Sequence, residues 1–159
     1  MKSRLTSLCW GIFLFVVLLG GTPSAQAAHC SLAGVAGTYG FTLSGVVNLP
    51  TGAVAIAAVG KAVLDSNGEV SGTEARSVGG GYADETFTGT FTVNADCTGT
   101  TTLQFFESGQ LVRTSILSIV FDNSQREVRM VQKSLQLPNG VFLPVVITVQ
   151  AQKMFSEND

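Results

Sequence analysis

This chain is poor in the residue types from which most enzyme active sites are built. It carries one histidine, His29, among its 159 residues. A nucleophile of the Ser-His or Cys-His kind therefore has a base to pair with at one place only. His29 sits beside Cys30 at the expected processing junction, and its plain reading is a residue of that junction. Zinc sites of histidine and cysteine fail for the same shortage. Charged residues make up 13% of the chain, against about 25% in an average soluble domain. With a formal net charge of −2, there is no basic footprint for nucleic acid. Gly79-Gly80-Gly81 lacks the Lys-Ser/Thr and the helix that would make it a phosphate loop, so it reads as a hairpin loop. The sequence assigns no catalytic residue, no metal and no cofactor, and an enzyme is the lesser expectation.

What is present begins with a leader. Lys2 and Arg4 precede an apolar run from Leu8 to Leu19, which Gly20-Gly21 ends, and Ala25-Gln26-Ala27 offers a small-x-small cleavage pattern. The run is shorter than the roughly 20 residues that span a bilayer. Residues 1–27 read as a signal peptide, 28–155 as a single domain and 156–159 as a polar tail. A lipoprotein is disfavoured, because His29 stands where a small residue should precede Cys30. Loss of Lys2 and Arg4 takes the formal net charge from −2 to −4. Trp10 and Cys9 go as well, which weakens a sugar-stacking role and leaves two cysteines. In the oxidising periplasm or outside the cell, Cys30 and Cys97 are expected to form a disulfide.

Past the leader no segment has a helical period. Short runs alternating apolar and polar residues are separated by Gly, Asn, Asp and Pro. Eight strands are expected: 38–46, 53–64, 69–78, 84–94, 100–107, 111–121, 127–137 and 141–154. The fourth is the clearest, with Phe87, Phe91 and Val93 on one face and Thr86, Thr88, Thr90 and Thr92 on the other. Asp65-Ser66-Asn67-Gly68 is a hairpin turn. Its alternating oxygens, Asp65, Asn67 and Glu69, could suggest calcium, but the longer EF-hand pattern is missing. Eight sequential antiparallel strands predict an all-β, up-and-down barrel, with a two-sheet sandwich as the alternative.

The aromatics Tyr39, Phe41, Phe87, Phe91, Phe105 and Phe121 fall on the apolar faces. They are core residues or, in the sharper reading, the lining of a pocket for a small apolar ligand. Asp84, Glu85, Glu107, Glu74, Arg76, Arg113, Arg129 and Lys133 are expected on the solvated outer face. Placed inward, they would instead build a polar site. A barrel with a filled core, serving as a structural or interaction protein, is the rival function, followed by a cyclase- or isomerase-like enzyme. In an outer-membrane barrel, the other alternative, Phe would face lipid and Thr the lumen. The second and last strands are apolar on both faces, which suggests a homo-oligomer. No membrane association is expected after cleavage.

Gly37-Thr38-Tyr39-Gly40-Phe41 resembles the Gly-x-Trp opening of lipocalins and other calycins, with tyrosine in place of their tryptophan. Gly37-Thr38-Tyr39, Asp65-Ser66-Asn67-Gly68-Glu69-Val70-Ser71-Gly72 and Phe87-Thr88-Gly89-Thr90-Phe91-Thr92-Val93-Asn94-Ala95-Asp96-Cys97-Thr98-Gly99 carry a second, closer likeness over most of the mature chain. The mature chain is similar to secreted bacterial barrel proteins shaped like allene oxide cyclase. The resemblance implies a barrel and export. It implies no activity, since no cyclase residue maps onto this chain. The exported protein is expected to begin at Ala28, and N-terminal sequencing that finds Met1 retained would rule cleavage out.

Overall fold

The computed structural model describes residues 29–122 and 124–154, so the leader, the cleavage point and the polar tail lie outside the described residues. Nine strands form: β1 (Gly37–Leu49), β2 (Gly52–Leu64), β3 (Glu69–Val78), β4 (Gly81–Val93), β5 (Thr98–Glu107), β6 (Gln110–Asp122), β7 (Glu127–Gln136), β8 (Phe142–Leu143) and β9 (Val145–Lys153). Each of β1 to β7 pairs antiparallel with the next in sequence. The circle closes through β9, which pairs with β7 on one side and β1 on the other. The result is a closed eight-strand up-and-down barrel, with β8 as a short extra strand against β7.

The last strand departs from expectation. Pro144 has no N–H to donate and ends the ladder there, so 141–154 becomes β8 and β9. The Pro144 carbonyl instead accepts from Asn48 N at 2.9 Å. In β7 an extra residue, Lys133, bulges between the register pairs Leu117–Gln132 and Ile116–Ser134. The bulge reverses the in-out alternation, and Gln132 and Leu135 both point inward.

Closure leaves every strand one inner face. Phe87 and Phe91 of β4 are buried and the neighbouring threonines exposed, the reverse of the polarity a lipid-facing barrel needs. Outside, Val59, Val146 and Phe142 are exposed, as the two-faced apolar patterns of β2, β8 and β9 require, and Val46 of β1 joins them.

One end of the barrel is plugged. A single helical turn, α1 (Leu32–Val35), is capped by Ser31, whose Oγ accepts from Gly34 N at 3.1 Å. It lays Val35 over the end of β1, with no exposed surface. The Tyr39 hydroxyl lies 2.7 Å from the Val35 carbonyl oxygen and 3.1 Å from that of Gln125. Burial pushes the phenol up to about 12, so it stays a donor at any physiological pH. Cys30 and Cys97 form the expected disulfide, Cα to Cα 4.9 Å, which ties the plug to the β4–β5 turn.

The bridge closes a loop with a sequence separation of 67 residues, for which chain entropy gives up to about 4 kcal/mol. Cys97→Ser is expected to lower unfolding free energy by up to that amount in urea denaturation. An unchanged midpoint would show that the other plug contacts suffice.

Candidate ligand-binding site

The inner face of β3 is an unusual mixture. Val70, Gly72, Glu74, Arg76 and Val78 share it, and Glu74 is buried. Directly opposite on β4 stands Glu85, also inward and buried. Like charges placed side by side across two strands repel, and here they do so away from water. Arg113, reaching from β6, lies between them. Its Nη2 donates to Glu74 Oε1 at 2.7 Å and its Nη1 to Glu85 Oε2. Its guanidinium also lies 3.7 Å from the ring centroid of Phe105, its direct cross-strand partner. Arg76 donates from Nε to the other Glu85 oxygen at 2.9 Å, and its own outer neighbour is Glu107 at 3.9 Å.

Expectation is corrected for four residues. Glu74, Glu85, Arg76 and Arg113 form a polar site inside the barrel rather than a solvated outer face. The reason is parity: each shares its strand's inner face with Val70, with Phe87, or with Leu117 and Phe121. Arg129 and Lys133 do stay outside, as does Asp84, which accepts from the Tyr82 hydroxyl at 2.5 Å. Asp65 Oδ1 is occupied within its own turn, accepting from Asn67 N at 2.9 Å and Glu69 N at 2.8 Å.

The two glutamates respond oppositely to burial. Desolvation pushes Glu74 up to about 7; the Arg113 charge pulls it back and the adjacent Glu85 carboxyl adds to the rise. Burial opposes ionisation of Glu85 as well. Hydrogen bonds from Arg76 and the charge of Arg113 outweigh it and hold Glu85 below the ordinary carboxylate range.

Beside this network lies a cavity of about 80 Å³. All six aromatics singled out from the sequence, Tyr39, Phe41, Phe87, Phe91, Phe105 and Phe121, are buried and border it. Phe87 forms the centre of a ring cluster, 5.9 Å from Phe41 and 5.4 Å from Phe105 between centroids. The rings of Phe41 and Phe87 lie over Gly60 and Gly72, where a Cβ would collide with them. Glu74, Arg113, Ser115 and Gln132 give the cavity one polar wall, in which Gln132 Nε2 donates to Ser115 Oγ at 2.9 Å. Sequence reasoning missed Ser115 and Gln132. For Ser115 the parity signal was present, since it alternates with Arg113 and Leu117. A carboxyl that titrates near neutrality at the wall of an apolar cavity can donate, accept or exchange a proton.

No protein-family model and no curated protein matches the chain. A solved structure does: a redesigned β-barrel, mFAP1, bound to DFHBI, with 16% identity and a TM-score of 0.50. The match covers 77% of this chain and 98% of the designed one. The likeness is one of fold.

Removing Arg113 leaves two buried carboxylates without their shared cation, a loss of about 3–5 kcal/mol for broken buried pairs. The pH dependence has a definite sign. Glu74 titrates higher folded than unfolded, so its favourable contribution is complete below its unfolded value and lost as pH rises through about 7. Without Arg113 Glu74 moves further up and Glu85 rises from its depressed position. Arg113→Met is therefore expected to lose more stability at pH 8 than at pH 5 in urea titrations; equal losses would contradict the bridging role.

Proposed function

We propose that this protein is an exported binding module that holds a compact, largely apolar small molecule inside its barrel. The observation that carries the reading is the cavity, walled by aromatic and aliphatic side chains with one polar patch. That is the usual make-up of small-molecule sites, and barrel interiors are a usual place for them. A designed barrel of the same fold was solved with a small molecule bound, which supports the reading by analogy of fold. Export is supported by the leader pattern and by the disulfide, which belongs to oxidising compartments.

Size sets the class of ligand. Drug-sized ligands take pockets of about 300–1,000 Å³, and a cavity of about 150 Å³ holds benzene. At about 80 Å³, this one is about half that size, so it suits a short-chain molecule as it stands and a one-ring molecule once it widens to roughly twice its volume. The smallness of the cavity also favours a second reading, a filled-core interaction protein whose exposed Val46, Val59, Val146 and Phe142 serve as a contact surface.

Ala62 borders the cavity and is partly buried, so a larger side chain there should fill it. Toluene is expected to raise the melting temperature of the protein, and Ala62→Leu to abolish that shift while itself melting no lower. A lower melting temperature for Ala62→Leu together with no toluene effect on the unsubstituted protein would favour the filled core.

A further inference from the structure

The ion network has an order that the apolar reading does not use. Along it, Glu107, Arg76, Glu85, Arg113 and Glu74 alternate in sign from the rim to the cavity. The Glu107 side chain is 48% exposed and that of Glu74 only 1%. The four inner groups balance in number, two carboxylates against two guanidinium groups, and Glu107 stands in solvent. Both oxygens of Glu85 are engaged by arginines. Glu74 accepts from Arg113 through Oε1 and otherwise faces the Glu85 carboxyl and the cavity. Glu85 thus faces both arginines and Glu74 only a share of Arg113, so the shortfall of positive charge is local to Glu74, whose side chain is nearly out of reach of water.

We propose that the preferred occupant of the cavity is a small organic monocation, an ammonium group on an aromatic or aliphatic body. The ammonium docks on Glu74 and the body packs against Phe41 and Phe87. This rests on the reading that the barrel interior takes a ligand, and it names the ligand's charge. Three features of the site select for it. A cation offsets the local shortfall at Glu74, which an anion deepens and a hydrocarbon leaves untouched. Phe41 and Phe87 line the same cavity as Glu74, one lying over its cross-strand neighbour Gly60 and the other over Gly72 two residues before it, and aromatic rings attract cations. Arg113, the group that would attract an anion, is already covered by two carboxylates and the Phe105 ring.

The alternative neutraliser is a proton, so cation and proton compete. The charged groups facing Glu74 are Glu85 from β4, Arg113 from β6 and Arg76 on its own strand. From β2 come Ala58 and Gly60, which carry no charge, and Lys61 points outward. With Glu74 titrating at about 7, proton competition weakens cation binding about tenfold between pH 8 and pH 6.

Calorimetric titration with benzylamine, toluene and benzoate tests this on the intact protein. Benzylamine, cationic at both pH values, is expected to bind tighter than toluene at pH 8 and about tenfold weaker at pH 6. At pH 6 its binding should release close to one proton, read from two buffers of different ionisation heat. Glu74→Gln should lose benzylamine binding and keep that of toluene. Toluene or benzoate binding with benzylamine excluded, or benzylamine binding without proton release, overturns the proposal and leaves a ligand-binding barrel. Failure of all three probes to bind overturns both readings.

Discussion

Arg113 stands between two buried glutamates on neighbouring strands, and the interior of the barrel is arranged around that contact. Glu74 and Glu85 are paired across β3 and β4, while Arg113 comes from β6 with β5 intervening. A flat sheet would not bring it within reach; a curled and closed one does. In the β5–β6 ladder Phe105 pairs with Arg113 and Phe106 with Leu111, so the bulged residue is Val112 of β6, next to Arg113. Such a bulge sharpens local twist and re-aims a side chain. Closure and the ion network therefore depend on one another. Without the barrel the charges could not meet, and without Arg113 the two carboxylates would oppose burial of β3 and β4.

The two ends of the barrel are built differently. At one, α1, the disulfide and the Tyr39 hydroxyl seal the strand ends with backbone contacts that do not titrate near neutrality. At the other, the β3–β4 and β5–β6 connections turn through glycine and serine with positive φ, at Gly79, Gly80, Ser108 and Gly109. Glu107 and Arg76 lie on that side. The charged rim and the plug therefore sit at opposite ends of the barrel.

Much of this was legible in the sequence. The Phe-Thr alternation of β4 gave both the strand and its inner face, the turns gave the count of eight, and the cysteines gave the plug's anchor. The ion network was misplaced because a general preference for exposed charge was allowed to override local parity. On β3 the bulky apolar residues Val70 and Val78 already placed Glu74 inside. The Lys133 bulge is of another kind. An extra residue is defined only against a partner strand, so no reading of β7 alone could place Gln132 and Leu135 on the same face. Pro144 did carry a signal for the break in the last strand, since a residue without an N–H interrupts any ladder it enters.

The central claim is that the interior holds a glutamate pair in which one member is left short of a counter-charge. Carbon-13 NMR of the side-chain carboxyls, followed against pH, addresses it directly. The account predicts a midpoint for Glu74 at about 7 and one for Glu85 below the ordinary glutamate range. A Glu74 carboxyl that titrates at its unperturbed value of 4.5 would contradict it.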